Sequence, residues 1–200
     1  MEKNIHFMTP SGMSLSDKES QLKKLLLEAG SVAIAFSGGV DSSYLLLAAS
    51  EVLGADQVVA ITINSPIYPE HEFAESAALA AELGVRQVVI TLNELDIPGV
   101  ADNSPERCYH CKKVLFQACL AKALEHGCRQ LFDGSNLDDL DDYRPGSAAV
   151  KELRVRSPLQ EAQLTKEEIR ELSRRGALAT AEKPPFACLA SRFPYGTRIT

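Results

Sequence analysis

The stretch Ser31-Val32-Ala33-Ile34-Ala35-Phe36-Ser37-Gly38-Gly39-Val40-Asp41-Ser42-Ser43 decides how this chain folds. Residues 31–36 are short, apolar and bounded by glycines, the pattern of a strand buried on both faces of a parallel sheet. Gly38 and Gly39 let the backbone approach a ligand closely. The amides that open the next helix, at the positive end of its dipole, then form an anion site suited to pyrophosphate. Ser37, Ser42 and Ser43 add hydroxyl donors. Asp41 is out of place beside phosphate unless it binds Mg2+ or caps the helix backbone. The loop carries no Walker-type lysine, which argues against a nucleoside triphosphatase of that class.

Outward from this loop the same punctuation repeats. Upstream, Ser16 and Glu19 form a capping-box pattern that opens an amphipathic helix (Leu22, Leu25, Leu26) stopped at Gly30. Downstream, a helix from about Asp41 to Leu53 stops at Gly54, and a strand follows near Val58–Ile63. A helix from about Pro69 to Leu83 stops at Gly84 and feeds a strand near Gln87–Leu92. A further helix starts near Pro105, ends at Gly127 and leads to a short strand at Gln130–Phe132, and Thr165 with Glu168 caps another helix. Strands alternating with helices of this length specify an α/β fold, a doubly wound parallel sheet with ligands at the carboxyl ends of the strands.

The chain has 200 residues, 45% hydrophobic and 24% charged, enough for one substantial core. No apolar run approaches the roughly 20 residues that span a bilayer, and the first residues lack the order of a signal peptide, so the expected compartment is the cytoplasm. Net charge is −6, from 27 acids against 21 bases. That balance disfavours a large nucleic-acid partner, whose affinity rests on cationic neutralisation of phosphates. Five cysteines in such a chain do not make a disulfide framework, and their spacing has to decide between chemistry and burial.

SGGVDSS after a buried strand resembles the signature of the PP-loop ATP pyrophosphatases, whose fold is adenine nucleotide alpha hydrolase-like. The resemblance implies that ATP binds at Ser37, Gly38, Gly39, Asp41, Ser42 and Ser43, with Asn64, in Thr62-Ile63-Asn64-Ser65, on the adenosine side. Members adenylate a carboxylate or carbonyl oxygen, release pyrophosphate and let a nucleophile displace AMP. Two later segments narrow the match. Asp133-Gly134-Ser135-Asn136, followed by Asp138, Asp139, Asp142, Tyr143, Arg144, Pro145 and Gly146, resembles a hallmark of the LarE family of ATP-dependent sacrificial sulfur transferases. Lys183-Pro184-Pro185 with Ser191-Arg192-Phe193-Pro194-Tyr195-Gly196-Thr197 resembles its second hallmark.

This resemblance implies ATP- and Mg2+-dependent conversion of pyridinium-3,5-biscarboxylic acid mononucleotide into its bisthiocarboxylic counterpart, for the nickel-pincer nucleotide cofactor of lactate racemase. The acidic run Asp138–Asp142 alone is a solvated loop; beside Mg–ATP its carboxylates become candidate metal ligands. Arg144 and Arg192 are expected to bind substrate phosphate or carboxylate, since a planar guanidinium suits bidentate recognition. Glu161 sits where family members also carry an acid. The resemblance also implies a homo-oligomer, a hexamer.

Cys108 and Cys111 lie three apart on the predicted helix, hence on one face. Cys188 falls within the second hallmark. Three thiolates without an obvious fourth match a [4Fe-4S] cluster with one open iron, able to hold an extra sulfide. The family appears in a three-cysteine form with such a cluster and in a form that destroys a single cysteine at the position of Cys188. Both sulfur sources stay open. Zinc with His110 as an added ligand is the rival, although His110 is rotated away from the Cys108–Cys111 face. Cys119 and Cys128 read as small core residues.

A second reading is a PP-loop enzyme that thiolates tRNA, which would need a basic surface. A third is a non-enzymatic nucleotide-binding or zinc-stabilised module. The expected organisation is a flexible arm over 1–15, a PP-loop domain over 16–180, and from 181 to 200 the start of a C-terminal region that continues beyond Thr200.

Overall fold

The computed structural model describes residues 12–140, 146–185 and 187–200. Four parallel strands, β1 (Val32–Ala35), β2 (Val58–Asn64), β3 (Arg86–Thr91) and β4 (Gln130–Phe132), form a sheet in the order β3-β2-β1-β4. The helices between them are α1 (Leu15–Ala29), α2 (Val40–Leu53), α3 (Glu70–Glu82), α4 (Arg107–Glu125), α5 (Gly146–Glu152), α6 (Pro158–Glu161) and α7 (Lys166–Arg175). No described helix is long and apolar enough to cross a membrane.

Strand alternation divides the core into two layers. Val32, Ile34, Val58 and Ala60 face a cluster built with Leu22, Leu45, Leu46, Ile169 and Leu172 from α1, α2 and α7. Ala33, Val59 and Ile61 face Phe116, Cys119, Ala123 and Val150 from α4 and α5. Because β1 is covered on both sides, it carries no polar side chain. β3 forms one edge of the sheet, and several of its residues reach solvent.

The expected doubly wound sheet is present. From β1 the chain proceeds outward through β2 and β3, then returns by α4 to place β4 on the other side of β1. The loops after β1 and β4 therefore diverge at a switch point, where doubly wound sheets bind ligands.

One boundary differs from the sequence expectation. The capping box of α1 uses Ser14 and Asp17, not Ser16 and Glu19. Ser14 is extended, its Oγ accepts the Asp17 N–H at 3.2 Å, and the Asp17 carboxylate accepts the Ser14 N–H at 3.1 Å. An aspartate reaches back as well as the usual glutamate, so the helix opens two residues earlier, and Glu19 pairs instead with Lys23. The Thr165–Glu168 box on α7 forms as expected.

Glu168 has a second task. Its carboxylate receives Lys18 Nζ at 2.9 Å on both oxygens, and Lys18 is fully buried. This pair ties α1 to α7 behind α2. Lys18→Ala leaves a buried carboxylate without its cation, so it is expected to destabilise the chain by about 3–5 kcal/mol. Urea unfolding followed by circular dichroism measures this.

Candidate active site

The loop Ser37–Gly39 forms because β1 ends against Gly38, whose φ is +73° and whose missing Cβ is needed as well: one placed there would lie 3.0 Å from Ser76 Cβ. α2 starts with Gly39 as an N-cap that supplies no side chain, which leaves its first amides open to an anion. Ser37 and Ser42 stand with hydroxyl oxygens 3.2 Å apart, and Ser42 Oγ donates to Gly39 O. Ser43 is buried, its hydroxyl without a partner.

The loop after β4 closes the other side. A Cβ on Gly134 would lie 3.0 Å from the Ser42 nitrogen and 3.3 Å from Asp41 Cβ, so a glycine is required for the two loops to meet. Asn136 Nδ2 donates to Asp41 Oδ1 at 3.4 Å, and Lys166, the first residue of α7, donates to Asp41 Oδ2 at 2.6 Å. Desolvation raises the Asp41 carboxyl above its ordinary value; the Lys166 bond and charge oppose this, and Asp139 adds to the rise.

These loops open into a cavity of about 670 Å3. Ser37, Gly39, Asp41, Ser42 and Asn64 line it, together with Asp138, Asp139 and Lys166. So do Cys108, Cys111 and Cys188, which places the thiols and the phosphate loop around one space. Cys119 forms part of its inner wall while being 2% exposed, and Cys128 is equally buried, as expected of core residues. His110 packs instead against Gly99, off the cysteine face. Arg192 is exposed and lies outside the cavity lining, and Glu161 on α6 is held by Arg156. Asp142, Tyr143, Arg144 and Pro145 lie outside the described residues. A smaller hollow of about 460 Å3 at the amino ends of the strands, lined by Ala55, Gly84, Val85 and Arg86, gathers none of this chemistry.

Cys188 reaches the cavity because the segment after it is gripped. Asn103, fully buried with φ +54°, donates from Nδ2 to the carbonyls of Pro194 at 2.8 Å and Thr197 at 2.9 Å. Its Oδ1 accepts from Arg107, which donates also to Ala190 O at 2.8 Å and lies 5.6 Å from the Tyr195 ring centroid. On the other side Leu189 N–H bonds Ile67 O, and Ile67 N–H bonds Ser65 Oγ, which donates to the buried Glu94. Burial raises the Glu94 carboxyl, and its second oxygen has no partner. Asn103, Arg107, Glu94 and Lys166 carry no motif of their own, and only their placement in the fold reveals them.

Desolvation, reinforced by the charges of Glu94, Cys188 and Cys108, pushes the Cys111 thiol up to about 12. Burial does the same for Cys119. Three soft donors around one cavity have the right chemistry for an iron–sulfur cluster, though no three His, Cys, Asp or Glu side chains among the described residues stand ready to hold a metal ion.

Fold and site define an ATP-using α/β protein of the PP-loop class. Residues 15–107 match the family model for NAD synthase. In structure the chain is similar to an NH3-dependent NAD synthetase from Campylobacter jejuni (TM-score 0.64, 14% identity, 88% of this chain and 80% of that one). It is also similar to an NMN synthetase from Francisella tularensis (TM-score 0.66, 16% identity, 86% and 76%). These likenesses show the fold.

Sequence relatives narrow the class. The chain is 36% identical over 187 residues to the pyridinium-3,5-bisthiocarboxylic acid mononucleotide synthase of Lactiplantibacillus plantarum, covering 94% of this chain and 68% of that protein. It is 41% identical over 186 residues to an uncharacterised protein of Synechocystis, covering 93% and 69%. The chain belongs to the pyridinium-3,5-bisthiocarboxylic acid mononucleotide synthase family, and it spans about two thirds of the length of these relatives.

Two outcomes follow from the geometry. Gly134→Ala forces the β4 loop off Ser42 and is expected to weaken ATP binding at least tenfold with little loss of secondary structure, as read by calorimetry. Cys111, whose thiolate is scarce at pH 8, is expected to alkylate with iodoacetamide far more slowly than an ordinary cysteine, its rate rising about tenfold per pH unit. Peptide mass spectrometry follows this directly.

Proposed function

We propose that this chain is an ATP-dependent sulfurtransferase that makes thiocarboxylates from pyridinium-3,5-biscarboxylic acid mononucleotide, for the nickel-pincer nucleotide cofactor of lactate racemase. One observation carries the reading: the phosphate loop and three cysteines line a single cavity. A tRNA substrate would need a basic face, and the net charge is −6.

The reaction solves a leaving-group problem. A carboxylate oxygen of the substrate attacks the α-phosphorus of ATP and pyrophosphate departs, giving an acyl-adenylate. A sulfur nucleophile then adds to the carbonyl carbon, a C–S bond forms, and AMP leaves with the former carboxylate oxygen. No net oxidation occurs. The open amides of α2, with Ser37 and Ser42, hold the phosphates and stabilise the charge of the departing pyrophosphate. Lys166 is hydrogen-bonded to Asp41. Asp41 is the candidate Mg2+ ligand, with Asp138 and Asp139 beside it, so Mg–ATP would release Lys166 to the phosphate oxygens.

Cys108, Cys111 and Cys188 would hold a [4Fe-4S] cluster. When bound, such a cluster supplies a replaceable sulfide at its open iron. Arg107 keeps Cys188 beside α4, and Arg144 and Arg192 stand as further anion-binding residues for the substrate, with Glu161 an acid of open role. The resemblance to the family supports a cytoplasmic homo-oligomer, a hexamer, organised as an arm (1–15), an ATP-binding unit (16–180) and a sulfur-transfer region from 181.

The test is pyrophosphate release from ATP with the anaerobically reconstituted chain. Release is expected only when the pyridinium substrate is added, with an acyl-adenylate detectable by mass spectrometry; absence of any adduct refutes the proposal. Intact chain mass should be unchanged after turnover, whereas loss of hydrogen sulfide from Cys188 assigns the sulfur to that cysteine instead. Lys166→Met is expected to lower turnover about 100-fold, since it removes a charge from the leaving group.

A further inference from the structure

Among the described residues, four cationic side chains line the cavity: Arg107, Lys112, Lys166 and Lys183. Three are committed. Arg107 binds Asn103 and the Ala190 carbonyl, Lys166 binds Asp41, and Lys183 bridges Glu72 and Glu75 at 2.7 and 2.6 Å. Among the described residues that line the cavity, Lys112 is the cation with neither a hydrogen bond nor an ion pair. Its ammonium lies 5.9 Å from the centroid of the Phe116 ring, a contact that holds a charge without neutralising it.

The side chain is also held in place. A Cβ on Gly146 would stand 2.5 Å from Lys112 Cδ and 3.1 Å from its Cε, so the start of α5 packs directly onto the lysine stem. Any larger residue at 146 would push the stem aside. Gly146 ends the acidic hallmark segment, and this contact gives that glycine a physical reason. Lys112 follows Cys111 and lies one turn after Cys108 on the same helix, so its charge sits on the thiol side of the cavity.

We infer that Lys112 is an anion-binding residue of the second-substrate subsite, a point charge that holds a carboxylate or phosphate oxyanion of the acceptor between the phosphate loop and the three thiols. This rests on the reading of the site as a sulfur transferase. Lys166 and the α2 amides serve the nucleotide. An acceptor that carries several negative charges needs separate neutralisation on the sulfur side, and an unpaired, pinned ammonium provides it without first breaking an ion pair.

The probes are pyridine-3,5-dicarboxylate, which carries carboxylates alone, and ribose 5-phosphate, which carries phosphate alone. Each is titrated into the full chain in the presence of a non-hydrolysable ATP analogue. Lys112→Gln is expected to weaken one of them about 10- to 100-fold, and which one identifies the oxyanion. Affinity for the ATP analogue should stay within twofold, which certifies the fold of the variant. Lys112→Arg should recover part of the loss. Gly146→Ala should reproduce it by displacing the lysine stem. If Lys112→Gln or Gly146→Ala binds both probes as the parent does, the assignment of Lys112 is overturned while the sulfur-transferase reading stands. A parent chain that binds neither probe overturns both.

Discussion

The grip of Asn103 on the segment after Cys188 fixes where that thiol stands relative to Cys108 and Cys111. One amide group satisfies the carbonyls of Pro194 and Thr197, accepts from Arg107, and sits in a left-handed conformation that asparagine tolerates better than most residues. Because Asn103 and Arg107 are buried, breaking their bonds leaves unpaired polar groups on those two side chains, which ties the exposed segment down. Arg107 extends the grip to Ala190, two residues from Cys188. From the opposite side the Glu94–Ser65–Ile67–Leu189 chain fixes the residue next to Cys188. Two thiols ride on α4 and the third is brought to them by this clasp.

Charge arranges the rest of the cavity. Lysines tie down part of the acidic lining: Asp41 pairs with Lys166, and Lys183 with Glu72 and Glu75, while Asp133, Asp138 and Asp139 add further carboxylates. Such pairs hold their place until a stronger partner arrives. In the proposed reaction Mg–ATP would be one, the divalent ion competing for Asp41 and phosphate for Lys166. Burial at Cys111 favours its neutral thiol over the thiolate.

Local patterns were legible and long-range pairings were not. The strand–Gly–Gly–helix turn could be read because every element of it lies within thirteen consecutive residues, and its strand periodicity and glycines each have one physical meaning. Cys108 and Cys111 could be paired by helical spacing, and Cys188 joined them through the hallmark motif. The helix start at Ser14 is hidden in the sequence because Ser16–Glu19 satisfies the same capping rule as Ser14–Asp17. Lys18, Glu94, Asn103, Lys112 and Lys166 look like ordinary polar residues in sequence. Their partners lie far away in the chain or, for Lys112, are marked only by a glycine that makes room for it.

Cys188, positioned by Asn103, is proposed to act together with Cys108 and Cys111. Iron and sulfide counting after anaerobic reconstitution tests it most directly, on the parent, on Cys188→Ala and on Asn103→Ala. About four iron and four sulfide per parent chain are expected, as in a [4Fe-4S] cluster, with marked loss in both variants and ATP binding preserved. A Cys188→Ala chain that keeps a full cluster would contradict it.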